Sequence, residues 1–210
     1  MKIEDYPRFT IIMRGYTFQQ ADAILKAMKG LEKEFAVEMT LNTTDALNQI
    51  KRLTEKYGDV IHIGAGTVRS TNDVKEAIDA GAEFLLGPHV FTQEMLDLAK
   101  QQEVLAVPAA MTPSEINEMF HSGADIVKVF PASVLSPRFF KDVQAPLGKL
   151  PLMGVGGISI DNAKDFLTNG ASYLGLGSGM FNKSDLENLD SDGLAESMQK
   201  LLSSVEGVGV

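Results

Sequence analysis

The sequence predicts a (β/α)8 TIM barrel, an α/β fold forming a single domain over residues 1–210. Three observations carry that expectation. Short apolar runs alternate with longer amphipathic stretches along the whole chain, the pattern of strand–helix units that build a parallel sheet. Eight such units can be counted, which favours a closed barrel over an open doubly wound sheet. The chain has 210 residues, 44% of them hydrophobic. That is enough for one full core and lies at the lean end of the ~200 to 400 residues such barrels occupy. No linker, composition break or long insertion interrupts the series.

The strand candidates, in order, are Phe9–Arg14, Phe35–Leu41, Val60–Gly64, Phe84–Gly87, Val104–Pro108, Ile126–Phe130, Leu150–Gly154 and Tyr173–Gly177. Each is short, rich in β-branched or aromatic residues, and followed by a helix start. Thr17, Ser70 and Thr112 are the clearest N-caps. Thr112 adds a proline at the first helical position and Glu115 as a capping-box partner. Gly30, Gly58, Gly81, Gly123 and Gly170 each follow an amphipathic stretch, where a left-handed C′ residue is wanted. The polar segment Asn182–Asp192 reads as loose, ahead of a last helix near Gly193–Val205.

Composition excludes several classes. The formal net charge is −9, from 28 acidic and 19 basic residues, without a basic cluster, which argues against nucleic acid. An acidic protein that binds an anion needs a local device, such as backbone N–H groups at a helix N-terminus. The absence of cysteine removes disulfide, thiolate and Cys–zinc chemistry. No apolar stretch approaches the ~20 residues of a membrane helix, and Met1–Pro7 has no secretory character. The expectation is a cytoplasmic protein away from membranes.

In a barrel of this kind the chemistry collects at the C-terminal strand ends. Lys128 stands out, because an ammonium in a β-branched strand is costly to desolvate and burial lowers its pKa. A neutral lysine amine can form a Schiff base with a ketone; a strand-end lysine paired with a carboxylate is the plain alternative. Glu38, between Val37 and Met39, is the natural partner, either as a proton shuttle or as a structural salt bridge. Gly156 and Gly157 follow strand seven, and Gly177 and Ser178 follow strand eight, where barrels frequently bind phosphate. Gly156-Gly157 is expected to open into a helix near Ser159, bringing backbone donors to the anion. The alternative is that these glycines only relieve tight turns.

Arg14 could fork a carboxylate or phosphate, or be a solvated strand-end charge. Thr67 offers a hydroxyl after Gly64-Ala65-Gly66, or is an N-cap. His62 reads as a core residue and His121 as a helix C-terminal cation. His89 stands at the functional end without the acidic or imidazole neighbours a metal would need. The expectation is therefore no metal and no cofactor.

Taken together, Val37-Glu38-Met39-Thr40-Leu41, Gly64-Ala65-Gly66-Thr67-Val68, Gly87-Pro88-His89, Met111-Thr112-Pro113-Ser114-Glu115, Val127-Lys128-Val129-Phe130-Pro131, Gly156-Gly157 and Gly177-Ser178 resemble a known family. It is the class I 2-keto-3-deoxy-6-phosphogluconate (KDPG) and 4-hydroxy-2-oxoglutarate (KHG) aldolases, and the likeness runs from about Phe9 to Phe181. The resemblance implies that Lys128 forms the Schiff base and Glu38 moves protons. It also implies that Arg14 and Thr67 contact the keto acid, that Pro88 and Phe130 wall the pocket, and that Gly156, Gly157, Gly177 and Ser178 hold the phosphate. A metal-free homotrimer is implied too. Asn42 and Val155 depart from many gluconate-type members, which carry arginine and threonine there, and look like the 2-keto-3-deoxy-6-phosphogalactonate type.

The reading that follows is a carbon–carbon lyase acting on a phosphorylated keto acid. Its expected substrate is 2-keto-3-deoxy-6-phosphogluconate, with 4-hydroxy-2-oxoglutarate as a second and the galactonate epimer as the alternative. A non-covalent sugar-phosphate epimerase and a non-catalytic sugar-phosphate sensor are the rivals.

Overall fold

The computed structural model describes residues 1–209 and turns the alternation into a strand-and-helix ring. After a short 3-10 turn (Ile3–Asp5), the strands are β1 (Phe9–Met13), β2 (Phe35–Thr40), β3 (Ile63–Gly66), β4 (Phe84–Leu86), β5 (Leu105–Val107), β6 (Ala109–Ala110), β7 (Val127–Val129), β8 (Leu152–Val155) and β9 (Tyr173–Leu176). Between and after them lie α1 (Phe18–Ala27), α2 (Ala46–Tyr57), α3 (Thr71–Asp79), α4 (Gln93–Gln101), α5 (Pro113–His121), α6 (Ala132–Leu135), α7 (Arg138–Leu147), α8 (Ala163–Thr168), α9 (Lys183–Asn188) and α10 (Ser191–Ser204).

All pairings are parallel, in the order β5-β4-β3-β2-β1-β9-β8-β7-β6. The expected fifth strand is split because Pro108 has no N–H to give the ladder. Its carbonyl still works: Lys128 N–H donates to Pro108 O at 2.8 Å, and Asp125 N–H donates to Ala106 O at 3.2 Å. The two halves are thus one stave, and eight staves close a (β/α)8 barrel.

Alternation sorts the strand residues into two cores. Ile11, Met13, Val37, Met39, Val127 and Val129 pack outward, against helices. Ile12, Ala36, Phe84, Val107, Ile126 and Met153 pack inside the barrel. The interior is closed below by Tyr6, whose ring meets Phe84 edge-on at 5.1 Å and whose hydroxyl pairs with Thr10 Oγ1 at 2.7 Å.

The caps form as expected. Thr17 and Thr112 make reciprocal capping boxes, and Ser70 Oγ accepts from Asp73 N–H. Gly30, Gly81, Gly123 and Gly170 have φ between 85° and 101°. Gly58 does not: at φ −61° it completes the last turn of α2, its N–H donating to Thr54 O. The third strand lies later than expected, because Val60 and Ile61 close a turn onto Tyr57 O and pairing with β2 begins only at Ile63. Within the segment read as loose, Lys183–Asn188 forms α9.

Candidate active site

Lys128 and Glu38 share the inward parity of their strands. Ile126, two residues before Lys128, and Ala36, two before Glu38, belong to the interior cluster. Both charged residues are buried, Lys128 at 6% and Glu38 at 2% exposure. Neither is locked into a pair. Among the described residues Lys128 forms no salt bridge, and Glu38 Oε2 is buried without a hydrogen-bond partner.

Burial is the main cause of their electrostatics. Loss of water pulls the Lys128 ammonium well below the ordinary lysine value, and the Arg14 cation pulls it further, while Glu38 opposes both. The same loss raises the Glu38 carboxyl, against the opposing pull of Lys128 and Arg14. Each group is driven toward its neutral form. For the lysine, that form is the nucleophile. Its Nζ also lies 5.2 Å from the centre of the Phe130 ring.

Glycines make room for these groups. A Cβ on Gly66 would land on the Glu38 carboxylate, and one on Gly64 would enter the Phe84 ring. The Gly64-Ala65-Gly66 run in β3 is therefore a steric requirement of the acid and the aromatic ring it faces.

Phe130, whose ring centre lies 5.2 Å from Lys128 Nζ, also borders a cavity of about 740 Å³, whose wall includes neither Lys128 nor Glu38. It brings together Arg14, Phe130, Val155, Gly156, Gly157, Gly177 and Ser178, seven of the residues expected from sequence. Gly156 and Gly157 hold φ of 95° and 74°. A side chain on Gly157 would strike Ser133 at 2.5 Å, and one on Gly156 would reach Pro131 Cα at 3.1 Å. These positions need glycine for both backbone shape and space.

Other expectations resolve differently. Asn42 is exposed on the turn after β2, while Thr67 and Pro88 are half-buried; none of the three lines the cavity. Thr67 holds φ 59°, an uncommon left-handed conformation for threonine, and the N-cap of α3 is Ser70. No continuous helix begins at Ser159: an isolated turn, with Ala163 N–H donating to Ser159 O at 3.0 Å and Ser159 N–H donating to Asn162 Oδ1 at 2.9 Å, precedes the six-residue α8 that starts at Ala163. His62 is half-buried rather than in the core, with Nδ1 2.6 Å from Glu83 Oε2. His89 is exposed and pairs with the Val90 carbonyl. Among the described residues no cluster of His, Asp and Glu has metal-holding proximity, and no helix is long and apolar enough to cross a membrane.

The cavity also recruits residues that sequence reasoning passed over, chiefly Tyr16, Ser159, Phe181, Lys183 and Leu186. Lys183 and Leu186 are three apart, one face of a helix. That spacing was readable, but the polar run around it masked it.

A family model described as "KDPG and KHG aldolase" matches residues 7–196. The chain is 33% identical over 172 residues to a "Probable 2-dehydro-3-deoxy-6-phosphogalactonate aldolase" of Rhizobium meliloti, covering 81% of this chain and 80% of that one. It is 35% identical over 162 residues to a "2-dehydro-3-deoxy-phosphogluconate aldolase" of Pseudomonas aeruginosa, covering 77% and 70%. A solved structure described as "Native KDPGal structure" superposes with a TM-score of 0.85 at 25% identity, covering 98% of this chain and all of that one. With a buried, unpaired lysine and acid inside a (β/α)8 barrel and a family match over nearly its whole length, the chain belongs to the KDPG and KHG aldolase family.

Proposed function

We propose that this protein is a class I aldolase cleaving 2-keto-3-deoxy-6-phosphogalactonate to pyruvate and glyceraldehyde 3-phosphate through a Schiff base on Lys128. The observation that carries the reaction type is the Lys128–Glu38 arrangement: a buried amine driven toward neutrality, with an unpartnered carboxyl oxygen in its electrostatic range. The sequence taken alone put the gluconate epimer first. The galactonate reading is supported by Asn42, by Val155 in the cavity wall, and by the Rhizobium relative. A gluconate preference is the second reading, and the Pseudomonas relative favours it.

In this reading the neutral Lys128 amine adds to the C2 ketone, and loss of water gives an iminium. Glu38 takes the proton of the C4 hydroxyl, the C3–C4 bond breaks, and its electron pair flows into the iminium to form an enamine. The aldehyde departs. Protonation of the enamine at C3 and addition of water release pyruvate and restore the amine. The family resemblance gives Arg14 and Thr67 the carboxylate end, Pro88 and Phe130 the keto acid, and Gly156, Gly157, Gly177 and Ser178 the phosphate; Thr67 and Pro88 lie outside the cavity wall, and the others line it. Val155, in the cavity wall, reads the C4 configuration, and Asn42 enters this reading through the family resemblance alone. The same chemistry extends to 4-hydroxy-2-oxoglutarate, giving pyruvate and glyoxylate. A cytoplasmic homotrimer belongs to this reading, carried by family resemblance; sedimentation at the mass of the 22.7 kDa chain would overturn it.

Borohydride reduction with pyruvate, followed by peptide mapping, tests the covalent step. A reduced pyruvyl adduct on Lys128 is expected, and no adduct refutes the mechanism. Glu38→Gln should slow cleavage by about 10²–10⁴-fold. Cleavage rates for the two 6-phosphorylated epimers decide the substrate: faster turnover of the gluconate epimer sinks the galactonate assignment.

A further inference from the structure

We propose that Lys183 is a phosphate-binding residue of this site, supplying the cation that the glycine loops lack. The argument begins from charge. A 6-phosphorylated keto acid carries an anionic group at each end, and this protein has a net charge of −9, so the long-range field repels it. The cavity wall has the opposite character: among the described residues its only charged side chains are Arg14 and Lys183, both cations.

Helix geometry does not provide the anion device expected from sequence. The helix after Gly157 begins only at Ala163 and is six residues long, too short to build a strong dipole at its N-terminus. The phosphate end of the cavity therefore has glycine N–H groups and the Ser178 hydroxyl, all neutral donors. A cationic donor adds to each phosphate contact a Coulomb attraction that neutral N–H and hydroxyl donors do not supply.

Lys183 is built to reach that end. It opens α9, directly after the segment containing Gly177, Ser178 and Gly179. Leu186, one turn on, also lines the cavity, so the same face of α9 borders it at two positions. Gln20 Nε2 donates to Leu186 O at 3.4 Å, linking α9 to α1. The lysine side chain is free to turn inward: it is 88% exposed, and its contact with Glu187 is an exposed i,i+4 pair at 3.5 Å. Pairs of that kind contribute a few tenths of a kcal/mol, so phosphate competes with it readily.

This inference rests on the phosphate end of the function proposed above, not on its covalent step. The test is isothermal titration of the full-length protein with inorganic phosphate, comparing the unaltered chain with Lys183→Gln and Lys183→Arg. Because the side chain is exposed, neither substitution threatens folding. Lys183→Gln should weaken phosphate binding about tenfold, and Lys183→Arg should restore most of it. The salt dependence of binding should also be shallower in Lys183→Gln, since a screened charge has been removed. With the 6-phosphorylated galactonate substrate, KM should rise about tenfold while kcat changes less than twofold. Equal phosphate affinity in the unaltered chain and Lys183→Gln, or no measurable phosphate binding by either, overturns the proposal. Borohydride trapping of pyruvate in the unaltered chain tests the aldolase reading separately, so the two can fail independently.

Discussion

At the residue scale, the site is governed by three charges. Arg14 is exposed, yet its cation lowers the pKa of both buried partners. Arg14→Gln should therefore raise both. In the proposed mechanism the reactive forms are the neutral amine and the carboxylate, so the rising limb of the pH–rate profile should move to higher pH. The rate of pyruvate trapping against pH measures this, and a limb that stays put or moves down contradicts the assignment. Thr43 supports the same region more quietly. Its buried hydroxyl pairs with Thr40 Oγ1 at 2.9 Å and accepts the N–H of Gly15, next to Arg14, at 2.8 Å. Thr43→Val should cost about 1 kcal/mol of stability, read from urea denaturation.

At the element scale, sequence and structure agree where signals are local. Thr112, Pro113 and Glu115 dictate the start of α5 because capping satisfies orphan N–H groups within a few residues. Thr112→Ala should lower the unfolding free energy by about 1 kcal/mol and leave cleavage kinetics unchanged. Disagreement appears where a local signal competes with pairing. Val60 and Ile61 have strand propensity, but the turn onto Tyr57 O takes them, and the β2 ladder begins at Ile63. Gly58 resembled its four sister glycines in context, yet its N–H is satisfied at Thr54 O without a left-handed turn. The glycine loops carry the sharper element-level prediction. Gly157→Ala must hold φ 74° and displace Ser133, so KM for the phosphorylated substrate should rise more than kcat falls. An unchanged KM would remove this loop from the phosphate site.

At the scale of the whole molecule, the barrel keeps a lysine and an acid in its interior against the grain of folding. Between the ordinary carboxyl value and Glu38's raised one, the native state binds more protons than the unfolded chain, so stability falls as pH rises. Between Lys128's lowered value and the ordinary lysine value, the unfolded chain binds more, so stability rises with pH. Together they place a dip in stability between the two windows. A Lys128→Met/Glu38→Gln double variant should lack the dip and be more stable than the unaltered chain within it, because neither buried titrating group remains. Urea denaturation across pH checks it; an equal or lower stability of the double variant refutes the account. Lys128→Met alone should be less stable than the double variant, because it leaves Glu38 buried without its compensating charge.

The sequence by itself determined the barrel, most strand and helix positions, and Lys128 and Glu38 as the unusual charges within strands. Periodicity, capping and the cost of a buried charge are properties of neighbouring residues and can be read along a chain. Only the tertiary structure decided that Pro108 splits one stave without opening the barrel, that Gly66 is glycine because the Glu38 carboxylate occupies its side-chain space, and that Lys183 borders the cavity. Those facts join residues far apart in sequence. Steric room, hydrogen-bond competition and the field inside a cavity exist only once the chain has closed on itself.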